Sequence, residues 1–168
     1  MKKNKQKGFT LIELILYIGI ASVVLLVITS FFQMTLSSKA KNKTILEVEQ
    51  QGMQVMQIIT QAVINSEGIT SPSAGNSSSG VVLDVVTVSD DPTVFDLSGG
   101  TIRITEGAGS PINITSSLVN VDSLIFENLS KADTAGILRI EFTISYINNA
   151  GRNEYDWSKT FYSSISLR

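Results

Sequence analysis

Few side chains in this 168-residue chain are of types that carry out chemistry. The sequence contains no cysteine and no histidine, which excludes disulfide bonds, thiolate nucleophiles, histidine general bases and imidazole metal ligands. An acyl-transfer triad is therefore impossible. Three kinds of candidate remain, namely one acid inside an apolar segment, a group of aspartates, and aromatic residues near the last hairpin. They are Glu13, then Asp84, Asp90, Asp91 and Asp96, and finally Tyr155, Trp157 and Tyr162.

The aspartates and the aromatic residues each have an ordinary structural interpretation. Four carboxylates within 13 positions could supply oxygen ligands to calcium, but they lack the spacing of an EF-hand loop. The aromatic residues could form an adhesive or stacking patch, although core packing is the better prediction for Trp157. We therefore expect no metal, no cofactor and no catalytic residue.

Glu13 is the only charged residue between Phe9 and Phe32. An acid near the centre of a bilayer costs about 2.5–3.5 kcal/mol even on the translocon-insertion scale. Glu13 either lies close enough to the membrane interface to reach water, or it has a partner that offsets this cost. The sequence around it leaves both interpretations open.

The apolar segment itself is long enough to cross a membrane. Its roughly 24 residues make a helix of about 36 Å, against a hydrocarbon core of about 30 Å. A secretory signal would have a shorter apolar region followed by a small-residue cleavage site, and neither feature is present. The positive-inside bias places the basic leader in the cytoplasm and the remainder of the chain outside. The leader's basic residues are Lys2, Lys3, Lys5 and Lys7.

The stretch Gly8-Phe9-Thr10-Leu11-Ile12-Glu13-Leu14 resembles the start of the type IV pilin family, whose precursors carry a short basic leader that ends in glycine before phenylalanine. The resemblance implies that a prepilin peptidase cuts between Gly8 and Phe9 and N-methylates Phe9. It also implies that Glu13 pairs with the terminal amine of a neighbouring subunit during assembly. The expected location is then the bacterial inner membrane, single-pass with the soluble part outside, and an assembled pilus or pseudopilus.

The remainder of the chain resembles W-type minor pilins and J-type pseudopilins more loosely. The similar segments are residues 50–56, 119–126 and 161–168. Ser30 occupies the neighbourhood where major pilins often carry a helix-kinking proline, and the disulfide loop of many major pilins cannot form here. A minor pilin or a pseudopilin is therefore the expected subtype.

Charge argues against broad nucleic-acid binding. The leader holds four of the 13 basic residues, so the mature chain keeps nine against 15 acidic ones, a formal side-chain charge of −6. A nucleic-acid footprint would be basic. We therefore expect the partners to be prepilin peptidase, other pilin subunits and the inner membrane.

The sequence predicts an α+β fold in which a long N-terminal helix packs on an antiparallel β-sheet. The predicted divisions are a leader at 1–8, a membrane helix at 9–32, its amphipathic extension at 33–68, a flexible linker at 69–80 and a sheet domain at 81–168. In the extension, apolar residues recur every three or four positions, and Gly68 is the predicted helix stop. The predicted stripe comprises Ile45, Val48, Gly52, Met56, Ile59 and Val63.

From Val81 onward the hydrophobic pattern has the period of two that is typical of strands. It is strictest from Leu138 to Tyr146, and a change of phase predicts a bulge near Ser123. Turn-forming residues at 148–153 predict a C-terminal hairpin. The predicted strands are Val81–Val88, Val94–Leu97, Thr101–Thr105, Ile112–Thr115, Leu118–Glu127, Gly136–Ile147 and Tyr155–Leu167.

The leading functional hypothesis is a structural subunit and not an enzyme, processed after Gly8 and assembled through its helix. One alternative is a tip-located adhesin or DNA-uptake pilin that binds ligand through loops of the β-domain. Another is an uncleaved membrane-anchored sensor or enzyme, which leaves the Gly8-Phe9 junction and Glu13 unexplained. The sequence leaves open whether the parent machine is a pilus, a type II secretion system or a competence apparatus.

Overall fold

The computed structural model describes residues 8–131 and 136–167, so the predicted leader lies outside the described residues except for Gly8. One long helix, α1 (Leu11–Ile64), is followed by strands and a single 3-10 turn at Asn153–Tyr155. The chain divides into two units, Met1–Ala40 and Lys41–Arg168. The strands are β1 (Ser66–Ser71), β2 (Ser77–Ser78), β3 (Val81–Val85), β4 (Thr93–Ser98), β5 (Thr101–Glu106), β6 (Ile112–Asn113), β7 (Val119–Asn128), β8 (Ile137–Tyr146) and β9 (Ser158–Ser166).

The first unit contains the apolar part of α1. Its length and a mean hydropathy of 2.8 over its most apolar stretch are sufficient for a membrane span. Four hydroxyl groups of this part donate to main-chain carbonyls four residues earlier, at 2.7–2.9 Å, so they are satisfied without water. These hydroxyls belong to Ser22, Thr29, Ser30 and Thr35.

In the second unit, α1 buries a stripe with the predicted spacing but with two different members. Ile45 and Met56 are only half-buried, and the smaller Thr44 and Val55 take their places. Smaller side chains let the helix approach the sheet more closely, which the spacing alone could not reveal. The buried stripe is Thr44, Val48, Gly52, Val55, Ile59 and Val63.

Two predicted boundaries are wrong. The helix ends at Ile64 and not at Gly68, and the Ser66 hydroxyl donates to the Val63 carbonyl at 2.8 Å just beyond that end. Gly68 lies inside β1, because this segment forms a strand that pairs with β3. The predicted flexible linker at 69–80 contains the end of β1 and all of β2.

The strands form two antiparallel sheets, and the predicted α+β class is confirmed. One sheet has the order β1-β3-β4-β5-β6 and the other β2-β7-β8-β9. The predicted bulge is confirmed by a register shift between Val121 and Ser123. Three predicted strands are too long, because a turn at Thr87–Asp90 follows β3, β6 ends at Asn113 and not at Thr115, and the 3-10 turn precedes β9.

One hydrophobic core lies between the second half of α1 and both sheets. The clearest contribution comes from β8, in which apolar residues at every second position are buried while Arg139 and Glu141 are exposed. This alternation is the one that the sequence predicts. The buried residues of β8 are Leu138, Ile140, Phe142 and Ile144.

Candidate assembly site at the start of the helix

The residues that the motif singles out surround the first turn of α1. Thr10 immediately precedes the helix and occupies the N-cap position. The main-chain N–H of Glu13 donates to the Thr10 hydroxyl at 3.4 Å, and the N–H of Leu14 donates to the Thr10 carbonyl at 3.1 Å. The hydroxyl thus satisfies one of the main-chain donors that every helix start leaves unpaired.

Thr10 and Glu13 have the spacing of a capping box, in which a threonine cap is followed three positions later by glutamate. A carboxylate in the first turn is also favoured by the positive end of the helix dipole. Only the threonine half of the box is formed among the described residues, because the Glu13 carboxylate does not accept from the Thr10 N–H. Sequence analysis missed Thr10 as a cap, although the Thr-x-x-Glu spacing was a signal for it.

The carboxylate of Glu13 is half-exposed and forms no hydrogen bond or ion pair with any residue that the structure describes. Glu13 lines one surface depression together with Gly8, Phe9 and Thr10. The predicted cleavage junction and the predicted assembly acid are therefore neighbours in space. This depression contains both the Gly8-Phe9 peptide bond and a carboxylate that has no partner among residues 8–131 and 136–167.

The side chain of Phe9 lies against the helix that it precedes. Its ring contacts that of Tyr17 edge-on, with centroids 6.0 Å apart and an angle of 67° between the rings. Both side chains remain more than half exposed. In this unit their apolar surface is available to lipid or to another helix.

The aspartates do not assemble into a metal site. Asp96 forms an ion pair with Arg103 on the neighbouring strand, and this hydrogen bond raises the pKa of Arg103 above its ordinary value. Asp90 accepts a hydrogen bond from Ser89, and Asp91 accepts one from the N–H of Val85. Over residues 8–131 and 136–167, no group of three histidine, cysteine or acidic residues could hold a metal ion.

The three aromatic residues have separate environments. Trp157 is half-buried and packs against the core, as predicted, while Tyr155 stacks on Tyr146 with ring centroids 5.9 Å apart. Tyr162 is 77% exposed. The indole N–H of Trp157 is buried without a hydrogen-bond partner among the described residues.

Comparison with known proteins adds one match. The family model for the prokaryotic N-terminal methylation motif matches residues 3–29, which include the Gly8-Phe9 junction, Glu13 and much of the apolar part of α1. No curated protein and no solved structure matches the chain.

The motif match and the fold lead to the same class of protein. The family that carries this motif is structural rather than enzymatic. The matched segment begins an apolar helix long enough to span a membrane, and the second half of that helix packs on antiparallel sheets. The motif and the fold together support a type IV pilin or pseudopilin.

Proposed function

We propose that this chain is a minor pilin or pseudopilin, most like the W-type and J-type subunits, that is cleaved after Gly8 and N-methylated at Phe9. The mature protein assembles through α1 into a membrane-based fibre. The observation that carries this proposal is the methylation motif at residues 3–29, in which the Gly8-Phe9 junction adjoins a Glu13 carboxylate that has no partner among the described residues.

Cleavage would create a charge that Glu13 can use. Cutting after Gly8 frees an amine on Phe9, four residues before Glu13, at the start of an apolar helix. An amine and a carboxylate are each costly in hydrocarbon, but the cost falls when they pair. We assign the carboxylate of one subunit to the amine of its neighbour, so that the pair sets the register between adjacent helices.

The proposal also specifies the membrane topology of the precursor and the proteins that it contacts. The precursor spans the inner membrane once, with its leader in the cytoplasm, where prepilin peptidase acts, and with the sheet domain outside. Other pilin subunits contact it through the helix. The supporting observation is that Glu13 is the only charged residue from Phe9 to Phe32, while the serine and threonine hydroxyls of α1 between Ser22 and Thr35 bond to carbonyls of their own helix.

Two variants separate the charge of Glu13 from its role at the helix start. Glu13→Gln removes the charge but keeps a residue that suits a capping box, whereas Thr10→Val removes the cap and keeps the charge. Both precursors should insert into the membrane. We expect Glu13→Gln to lower incorporation into fibres at least tenfold and Thr10→Val to change it less than twofold. Normal incorporation of Glu13→Gln would contradict the proposed charge pair.

Processing is tested directly by mass spectrometry of the N-terminus. In cells that contain prepilin peptidase, the chain should begin at a methylated Phe9, and in cells without the enzyme it should keep its leader. An intact leader in cells with an active peptidase, shown to process another pilin in the same sample, would refute the proposal.

A further inference from the structure

The two sheets have four edges, and only one of them is long and regular. These edges are β1 and β6 in one sheet, and β2 and β9 in the other. Strands β2 and β6 have two residues each, and β1 carries two register shifts against its neighbour β3. Strand β9 has nine residues and pairs with β8 without any register shift.

Exposed edges invite pairing with other strands, and proteins usually protect them by shortness, bulges, proline or charge. Three of the four edges here have such protection. Strand β9 has no proline, no glycine and no bulge, and its only charged residue is Lys159. Lys159 is engaged by Glu49 of α1 at 2.7 Å. The edge at β9 is therefore a surface to which another strand can bind.

Two hydrogen bonds at its ends show which backbone groups of β9 face outward. The carbonyl of Trp157 accepts from the N–H of Tyr146, and the N–H of Leu167 donates to the carbonyl of Gly136, so odd-numbered residues face β8. In an antiparallel strand the backbone groups of alternate residues point to opposite sides. The residues whose N–H and C=O groups face the open edge are Ser158, Thr160, Tyr162, Ser164 and Ser166.

These five residues also share a chemical type, since every one of them carries a hydroxyl group and is exposed. The Thr160 hydroxyl already makes a cross-strand hydrogen bond to that of Thr143 in β8, at 2.8 Å. No strand other than β8 pairs with β9 in the described part of the chain. The open edge therefore combines regularly spaced backbone groups with uncharged side chains that can bond to one another.

We propose that β9 pairs antiparallel with β9 of a second copy of this chain, with the two-fold axis at Tyr162. In this register Thr160 lies opposite Ser164, Ser158 lies opposite Ser166, and Tyr162 lies opposite itself. Every outward-facing residue then exchanges both of its backbone groups with a residue that also faces outward. The register therefore satisfies the whole edge at once.

A second copy fits because the strand is complementary to itself, as a two-fold interface requires. Lys159 lies opposite Ile165, so no like charges meet, and the facing hydroxyl side chains can form cross-strand hydrogen bonds. Anchoring of both copies in one membrane raises their effective concentration, which favours an interface this small. This contact is separate from the fibre contacts proposed for α1, and it joins two four-stranded sheets into one.

The absence of natural cysteines makes disulfide cross-linking a clean test in membranes that contain the full-length precursor. In the proposed register, the two copies of Tyr162→Cys face each other at about 5.5 Å between their Cα atoms, within reach of a disulfide. Ser164→Cys is the matched control, because it lies on the same face of the same strand. Its two copies are four positions apart, about 13 Å, which is too far to link.

After mild oxidation, Tyr162→Cys should give at least ten times more linked dimer than Ser164→Cys. The double variant Thr160→Cys/Ser164→Cys should link again, because each new cysteine faces the other across the axis. Equal linking of the two single variants, no linking at all, or linking mainly to a different protein would overturn the proposal. A cell without prepilin peptidase is used, so that neither cleavage nor fibre assembly affects the result.

Proline at the edge supplies an independent check. Ser164→Pro removes an N–H that faces the open edge, while the bonds between β9 and β8 remain, and edge strands tolerate proline in this orientation. In the Tyr162→Cys background it should lower linking at least tenfold without changing the unfolding temperature. Linking that is unchanged in this folded variant would contradict pairing through the backbone.

Discussion

The ring of Phe161 occupies the space that a side chain on Gly52 would need. A β-carbon placed on Gly52 would overlap atoms of this ring. Gly52 is buried on the face of α1 that packs against the sheets, and the Phe161 ring is stacked on Phe142 with centroids 5.3 Å apart. Because Phe142 restricts the ring on one side, Gly52 sets how closely helix and strand approach at this level.

We predict that Gly52→Ala lowers the free energy of unfolding by about 2 kcal/mol. Overpacking a core costs up to about 3 kcal/mol. The higher helix propensity of alanine relative to glycine offsets about 1 kcal/mol of this cost. The measurement is denaturant unfolding of the full chain in detergent, followed by the fluorescence of Trp157, the only tryptophan.

Gly19→Ala is the matched control, because Gly19 is also helical and has no atom within 4 Å of an added β-carbon. This variant should leave unfolding unchanged or slightly favour the folded state. Adding Phe161→Leu to Gly52→Ala should recover part of the loss, since the smaller side chain makes room. Equal stability of Gly52→Ala and Gly19→Ala would show that the ring moves aside without cost.

Substitutions at two loop glycines distinguish the energetic cost of backbone strain from the cost of steric overlap. Both Gly107 and Gly151 have positive φ angles, of 52° and 62°, which other residues adopt at a cost of about 1–2 kcal/mol. A β-carbon on Gly107 would overlap the main-chain carbonyl of Ser89, whereas at Gly151 the space is open. We predict that Gly151→Ala lowers the free energy of unfolding by about 1 kcal/mol and Gly107→Ala by at least twice as much. Similar losses of unfolding free energy in the two variants would mean that backbone strain alone accounts for the destabilisation.

Local sequence patterns predicted the features that depend on neighbouring residues. The strict alternation of β8 follows from a two-residue period, and the bulge near Ser123 follows from a change of phase within ten residues. The end of α1 was not predictable in this way. Gly68 belongs to a strand because it pairs with Asp84 of β3, which lies 16 residues later in the chain. The open edge at β9 depends on strand order, which no local pattern specifies.

The candidate site was predictable for a different reason. Gly8, Phe9 and Glu13 form a short contiguous motif, so recognising them needs no knowledge of the fold. Which hydroxyl caps the helix depends on where the helix begins, and only the structure locates that start at Leu11. The Thr-x-x-Glu spacing indicates Thr10 as a candidate cap, and the helix boundary establishes it as the partner of the Glu13 N–H.

The ion pair between Arg103 and Asp96 gives a prediction about pH. The hydrogen bond to Asp96 raises the pKa of Arg103 above its ordinary value, so the stabilisation from the charged arginine is complete below that value and is lost only as pH rises beyond it. We therefore predict that Arg103→Gln lowers the unfolding temperature by the same amount at pH 6 and pH 9. Arg152→Gln is the control, because Arg152 is more exposed than Arg103 and its pair with Glu154 is local to one loop, so it should matter less. A clear difference between the two pH values would indicate that another titrating group contributes.

The last prediction concerns why a serine- and glycine-rich segment is ordered. Asn128 is buried, and its side chain donates to the carbonyl of Pro72 at 2.7 Å and accepts from the N–H of Ser130 at 3.0 Å. Its own backbone accepts from the N–H of Gly75 and donates to the carbonyl of Asn76. One residue thus holds both ends of the turn that leads into β2.

We predict that Asn128→Ala lowers the free energy of unfolding by about 2 kcal/mol, because it leaves buried main-chain groups without partners. The amide of Gly75 should then exchange its hydrogen at least tenfold faster, and proteases should cut within residues 72–78 before the rest of the domain unfolds. Asn113→Ala is the matched control, since Asn113 is an exposed asparagine in β6. If both variants left exchange at Gly75 unchanged, backbone pairing of β2 with β7 would be sufficient to order the segment without the Asn128 side chain.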